Sequence, residues 1–233
     1  VGVISLFSSI MLRSSLSKFK PGPYFSFVIH MDGLAQNHDR ITNREGMFDI
    51  ALDAIKAAKA AGFQVRTNTT IYKGVDPSEV LQLFRILGDV GVDGIMVSPA
   101  FSYEAVKDSS VFLTRQEFRD LFRAIDASGN GVRFYNTPVY RRFLTGEVSL
   151  KCMPWSSPTR NPKGWKRPCY LITDGHSQSY AELMRDTDWN NYGVGNDPRC
   201  ANCMMHCGFE AAGIMWAQKH PADMWRMLRW NLS

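Results

Sequence analysis

Tyr24-Phe-Ser-Phe-Val-Ile-His-Met-Asp-Gly33 decides the fold. Its residues alternate as a strand requires: Phe25, Phe27, Ile29 and Met31 fall on one face, Ser26, Val28, His30 and Asp32 on the other. Downstream, Thr42-Asn-Arg-Glu45 reads as a capping box ahead of Met47, Ile50, Ala51, Ala54, Ile55 and Ala58, an apolar stripe at helical spacing that Gly62 closes. The same order then recurs. Residues 63–71 form the next strand, and in Asp76-Pro-Ser-Glu79 the Asp caps, the Pro takes the first helical position and the Glu reaches back, ahead of Leu81, Phe84 and Leu87. Gly91 precedes a strand over 93–98. Thr114-Arg-Gln-Glu117 opens a third helix through Phe118, Leu121, Phe122 and Ile125, and Gly129 and Gly131 lead into a strand over 132–135. Connections of this length imply right-handed crossovers between parallel strands. The expected fold class is therefore α/β, a partial parallel (β/α) barrel with helices on its outside.

Around this grammar the chain has 233 residues, 45% of them hydrophobic, 12% aromatic and 21% charged, which excludes disordered, collagenous and coiled-coil classes. The formal charge of +5 is unevenly placed: residues 133–167 carry eight Lys and Arg against Glu147 alone. That segment also holds Pro154, Pro158, Pro162 and Pro168 with Trp155 and Trp165, and reads as a loop rather than a helix or central strand. It either covers a site as a solvated flap or meets an anionic surface. A boundary near residue 148 separates the barrel (21–148) from a cysteine-bearing C-terminal extension (149–233) that ends in one helix over about 210–230. Residues 1–20 stand outside the barrel pattern. Their apolar start is too short to span a bilayer and lacks both an initiator Met and a basic segment, so no signal peptide or membrane helix is expected, and the N-terminal part of the protein is expected to be absent.

Strands of a parallel sheet buried on both faces are normally near-continuous Val, Ile and Leu. Here one face is polar, which implies a barrel lumen lined for a polar ligand. The side chains at the C-terminal strand ends, His30, Asp32, Asn68, Thr70 and Ser98, are its expected contacts. The alternative is that Asp32 with Gly33 only shapes a turn and His30 is a hydrogen-bonded core histidine. Arg66 is expected to pair with a helix acid at the barrel bottom. The five cysteines all follow residue 151, and their odd number argues for reduced thiols in a cytoplasmic protein rather than a closed disulfide set. Cys200-Ala-Asn-Cys203-Met-Met-His-Cys207 has thiols spaced to converge on one metal or cluster, with Cys169 as fourth ligand and Cys152 or His206 as substitute. The alternative is a helix capped by Asp197-Pro198 that packs the three thiols along one face. Spacing alone does not separate zinc from iron–sulfur.

The stretch 25–33, His38-Asp-Arg40, Gly46-Met-Phe-Asp49 and Ala61-Gly-Phe63 resemble the fourth strand and following helix of the radical S-adenosylmethionine (SAM) superfamily. Asn68-Thr-Thr-Ile-Tyr72, Val97-Ser-Pro-Ala-Phe101, Tyr135-Asn-Thr-Pro138 and the 200–207 cysteines resemble its hopanoid-biosynthesis branch, the adenosylhopane synthases, from about residue 21 to the end. The resemblance implies a partial (β/α)6 barrel, SAM and a [4Fe-4S] cluster as cofactors, and a transferase reaction that adds the 5′-deoxyadenosyl radical to the alkene of a hopene. It implies an electron donor of the flavodoxin or ferredoxin class and a hydrophobic triterpenoid substrate, hence a cytoplasmic enzyme in peripheral contact with the inner membrane face, with Trp155 and Trp165 against headgroups. It implies no nucleic-acid partner. His30, Asp32, Asn68, Thr70 and Ser98 would be SAM contacts. The chain departs from the superfamily in one respect: Cys-x3-Cys-x2-Cys, which holds the main cluster, occurs nowhere in it. This chain by itself is therefore expected not to cleave SAM. The competing readings are a phosphate-binding barrel lyase or aldolase, and a zinc module that binds nucleic acid through residues 133–167.

Overall fold

A computed structural model of the chain describes residues 3–6, 9–101, 110–128 and 131–232, and it divides into two units. The first unit comprises Val1–Ser98 and Leu121–Asn136. Its elements run β1 (Val3–Leu6), α1 (Ser9–Ser15), β2 (Phe25–His30), α2 (Ala35–Thr42), α3 (Met47–Ala60), β3 (Gln64–Ile71), α4 (Pro77–Val90) and β4 (Gly94–Pro99), with the C-terminal half of α5 (Arg115–Ser128). The four strands lie in the order β1-β2-β3-β4, with β2 parallel to both β1 and β3, so the α/β expectation holds. The register sets Ser26 opposite Gln64 and His30 opposite Asn68. Phe27, Val65, Val97, Ile55 and Leu87 are fully buried, and Phe134 packs edge-on to Phe84 and Phe122 at 5.8 and 6.3 Å between ring centroids.

Several local expectations change. Thr42 ends α2 rather than capping α3, with its hydroxyl on the carbonyl of His38, and Asn43 turns the chain at φ 51°. The N-terminus of α3 is satisfied from a distance by Asp39, whose carboxylate accepts from the backbone N–H of Gly46 (2.6 Å) and Phe48 (2.9 Å). Those amides hold the Asp39 carboxyl below its usual range. At α4 the cap is as expected, Asp76 accepting from Ser78 N at 2.8 Å, but Glu79 does not reach back to it. At α5 the box forms in both directions between Thr114 and Glu117. The strand expected over 132–135 is reduced to one parallel bridge, Ile95 to Phe134. Asn136, fully buried, then takes a strand's place with its side chain: its Oδ1 accepts from Val97 N (2.7 Å) and its Nδ2 donates to Val97 O (3.0 Å). Ser26, on the polar strand face, and Thr67, on the opposite face beside Ile29, are buried with hydroxyls that have no partner, whereas Gln64 and Arg66 on the polar face of β3 are half-buried.

The second unit comprises Pro99–Asp120 and Thr137–Ser233. Pro138 opens α6 (Pro138–Thr145) under a Thr137 cap. The proline-rich stretch expected to be a loop contains β5 (Arg160–Asn161) and β6 (Gly164–Pro168), which form an antiparallel sheet with β7 (Thr173–Ser177) beyond it. Its prolines sit at turns and at the end of β6, where no ladder donor is needed. A Ser179–Glu182 capping box starts α7 (Tyr180–Asp186). The single C-terminal helix expected is two, α8 (His206–Ala217) and α9 (Pro221–Leu232), because Pro221 has no N–H to continue α8 and suits a first turn. Among the described residues no helix is long and apolar enough to cross a membrane.

Candidate functional site

The tips of β2 and β3 bring four of the five expected side chains together. Asn68 Nδ2 lies 3.5 Å from His30 Nε2, and Asp32, where the chain leaves β2, accepts from Thr70 N at 2.7 Å. Asp32 N in turn donates to Nδ1 of buried His38 at 3.2 Å, which fixes the neutral ring's proton on Nε2. Burial pushes the Asp32 carboxyl up, opposed by the Thr70 amide and by His30 and His38; burial likewise pulls His38 down. His30 is exposed and Thr70 half-buried. Asn68 is only 9% exposed, and its Oδ1 is buried without a partner. Ser98 is buried on β4 and, among the described residues, makes no bond to the other four.

Asp32 is thus more than a turn residue, and the turn itself has a separate support that the sequence did not reveal. Glu79 accepts from Leu34 N (2.9 Å) and Asn37 Nδ2 (2.5 Å), clamping the loop after Asp32 to the start of α4. Only glycine fits at position 33, where a Cβ would stand 2.9 Å from Asn37 Cβ and 3.2 Å from Glu79 Oε1. Among the described residues Arg66 pairs with no helix acid; its guanidinium lies 3.9 Å over the ring of Tyr135.

All five thiols line one cavity of the second unit, of about 30 Å³, together with Phe101, Leu171, Ile172 and Phe209. Cys152 therefore joins Cys169, Cys200, Cys203 and Cys207, while His206 does not line it. The single-helix alternative for the cysteines fails: Cys200 ends a 3-10 turn from Pro198, Cys203 lies in the turn after it, and Cys207 sits in the first turn of α8. Met153 N bonds Gly208 O, and the hydroxyls of Ser156 and Ser157 both donate to Cys207 O (2.9 and 2.7 Å), which ties the Cys152 segment to the start of α8. Gly208 makes room for the Cys152 sulfur, since a Cβ there would come within 2.4 Å of it. Tyr140, fully buried on α6, donates to Met204 O at 2.6 Å and holds the segment between Cys203 and Cys207. Burial raises the thiols of Cys152, Cys200, Cys203 and Cys207, Cys203 to about 12. Among the described residues no three His, Cys, Asp or Glu side chains converge as a single metal ion requires. Trp155 and Trp165 are half-buried, packed edge-on against Trp189 (5.8 Å) and Tyr180 (5.4 Å).

The profile of a family described as "Domain of unknown function (DUF3463)" matches residues 95–227, more than half of the chain. The chain belongs to the DUF3463 family. Its DUF3463 region begins in β4 and takes in all five cysteines, whereas His30, Asp32, Asn68 and Thr70 precede it. No curated protein matches the chain. Similar solved structures include TYW1 with a lysine-pyruvate adduct bound, 16% identical with a TM-score of 0.42 over 55% of this chain and 41% of that one. They also include Streptococcus suis SuiB bound to S-adenosylmethionine, 15% identical with a TM-score of 0.43 over 59% of this chain and 32% of that one. Hydroxymethylglutaryl-CoA lyase from Pseudomonas aeruginosa is 18% identical, with a TM-score of 0.40 over 62% of this chain and 50% of that one. The DUF3463 chain spans half or less of each.

Proposed function

We propose that the chain supplies the later strands of a radical SAM enzyme of hopanoid biosynthesis, a transferase that adds the 5′-deoxyadenosyl group of SAM to a hopene. The strand-tip motifs carry this reading, because the segments that resemble the adenosylhopane synthases include the side chains gathered at the β2 and β3 ends. The donor set suits SAM. The unpartnered Asn68 Oδ1 asks for a donor such as an ammonium or a ribose hydroxyl, and Asp32 offers a carboxylate held close by Thr70. When bound, SAM together with a reduced [4Fe-4S] cluster supplies the adenosyl radical. In this reading Asp32, Asn68 and His30 bind and orient the ligand, Thr70 positions Asp32, and Glu79 with Gly33 holds the loop that carries it; Ser98 would contact the ligand from β4.

An electron donor of the flavodoxin or ferredoxin class and a triterpenoid substrate complete the proposal, and with them peripheral contact at the membrane's inner face. The tryptophans first expected to meet headgroups are engaged in aromatic pairs, while Trp225, Leu228 and Leu232 of α9 are exposed. The test is expression of the chain with the coding sequence upstream of Val1, followed by anaerobic incubation with SAM, reductant and diploptene and mass spectrometry of the products. The expected result is 5′-deoxyadenosine together with adenosylhopane, both lost in Asn68→Ala. 5′-Deoxyadenosine without the hopene adduct overturns the substrate. Upstream sequence without Cys-x3-Cys-x2-Cys, or no SAM cleavage, overturns the enzyme class and leaves the lyase reading.

A further inference from the structure

We infer that the five-thiol cavity of the second unit binds a [4Fe-4S] cluster of its own, on four of its thiols with Cys152 among them. This inference concerns residues 99–233 and does not depend on the strand-tip reading. Three observations carry it.

The first is convergence. Five cysteines from three separate segments, 152, 169 and 200–207, face one small apolar cavity, and none is in a disulfide.

The second is size. A lone zinc ion bonds sulfur at about 2.3 Å, so its ligands must crowd to within about 4 Å of one another. Among the described residues no three His, Cys, Asp or Glu side chains are placed to hold one metal ion. In a cubane each thiolate binds a different iron, and the ring of sulfurs is correspondingly wider.

The third is charge. On the arm of α5 in this unit, the Nε atoms of Arg115 and Arg119 are buried with no hydrogen-bond acceptor. Arg115 lies over the rings of Phe143 (5.3 Å) and Phe209 (5.6 Å) and within electrostatic reach of Cys152 and Cys203. Arg115, with its Nε left without an acceptor and Cys152 and Cys203 within reach, gives this cavity a positive side that lacks a counter-charge. A [4Fe-4S]2+ core on four thiolates carries two net negative charges and answers that imbalance.

Cys152 is the ligand that cysteine spacing could not assign. The bonds from Ser156 and Ser157 to Cys207 O fix its segment against α8, and Gly208 lets its sulfur approach the cavity. Assembly balances without an external oxidant when equal ferrous and ferric iron are supplied. Two of each with four sulfides give the 2+ core, and the four ligand thiols release four protons.

The chain contains no Cys-x3-Cys-x2-Cys, so any cluster it binds belongs to this cavity. The chain is reconstituted anaerobically with ferrous and ferric iron plus sulfide, and in parallel with zinc. The expected product carries about four irons and four sulfides per chain, absorbs near 400 nm and gives a paramagnetic signal on one-electron reduction. Stoichiometric zinc with no iron uptake, or no metal at all, overturns the proposal. Cys203→Ala is expected to lower loading at least tenfold. Gly208→Ala is expected to lower it severalfold by pushing the Cys152 sulfur aside, and far-UV dichroism shows whether the fold is kept. Gly208→Ala suits a helix, so it tests Cys152 even where a cysteine variant misfolds. Full loading in a folded Gly208→Ala and in Cys152→Ala overturns the role of Cys152.

Discussion

Replacing Tyr140 by Phe isolates one bond on which the thiol segment depends. The Tyr140 ring is fully buried and stacks on Phe143, and Phe retains that packing. What is lost is the 2.6 Å donation to Met204 O, a carbonyl of a fully buried residue. A buried acceptor left without its donor costs about 1–3 kcal/mol. A mid-range loss of about 2 kcal/mol lowers Tm by about 4–8 °C in a protein of this length. All six tryptophans lie in the second unit, at positions 155, 165, 189, 216, 225 and 230, so tryptophan fluorescence follows that unit alone. In a urea titration the midpoint should fall with the slope unchanged. Burial keeps the phenol protonated well above its ordinary pKa, so the loss should be equal at pH 6 and pH 9. A change below about 0.5 kcal/mol, the range of neutral surface substitutions, would refute the argument that Tyr140 anchors the segment between Cys203 and Cys207.

Asp32→Asn should stabilise the first unit as pH rises. The Asp32 carboxyl is raised in the fold, so its contribution to stability is complete below the unfolded value of about 3.9 and is lost as pH climbs through the folded value. Asn keeps the Thr70 bond and does not ionise, so far-UV denaturation should show the variant gaining on the parent between pH 3 and neutrality. A constant or reversed gap refutes the assignment. Glu79→Ala frees Leu34 N and Asn37, and in the protein expressed with its upstream sequence it should weaken SAM binding severalfold in an equilibrium titration; unchanged affinity removes Glu79 from the positioning of Asp32. Arg115→Met removes a half-buried cation beside the thiol cavity, so a reconstituted cluster should become harder to reduce, read as a more negative midpoint in a redox titration; no shift, or a positive one, excludes Arg115 as its countercharge.

The first unit was legible wherever periodicity and punctuation agree. Phe27, Val65, Leu87 and Phe122 are core residues because their spacing permits nothing else, and Gly62, Gly91 and Asp76 end or begin helices where they stand. Capping was legible only where it is local. Thr114 and Glu117 meet because three residues separate them, whereas Asp39 caps α3 and Glu79 clamps Leu34 across 9 and 45 residues. Nothing in Thr42-Asn-Arg-Glu45 distinguishes a box that forms from one displaced by a distant carboxylate. In the second unit the prolines mask the hairpin of β5 and β6, and Pro221 divides a run that is otherwise helical in period. Cys152 was visible as a thiol but not as a neighbour of Cys207, since that proximity depends on Gly208 and on two serine hydroxyls. A glycine in the first turn of α8, where helix propensity disfavours it, was the available signal.

A buried charge alone does not mark a site, as Asp223 shows. It is 4% exposed and accepts from Arg142 (2.5 Å), Arg226 (2.7 Å) and Trp216 (2.9 Å), so its carboxyl lies below the ordinary value despite burial. Every lone pair that folding strips of water is answered there, and the cluster needs no further occupant. The buried polar atoms left unanswered among the described residues are distributed otherwise. Ser26 Oγ, Thr67 Oγ1 and Asn68 Oδ1 belong to β2 and β3; Arg115 Nε, Arg119 Nε and His206 Nδ1 belong to the segments that carry or face the thiols. Native folds satisfy nearly all buried polar groups, so each orphan asks for an account. Ser26 lies near the start of β2 and Thr67 on the sheet face opposite Asn68, so of these three only Asn68 Oδ1 stands at the strand tips, near the raised carboxyl of Asp32. A ligand that donates a hydroxyl or an ammonium there would answer it as Arg142, Arg226 and Trp216 answer Asp223. Arg115 Nε stands within reach of Cys152 and Cys203, where an anionic group held by the thiols would supply the charge that Asp223 supplies to Arg142.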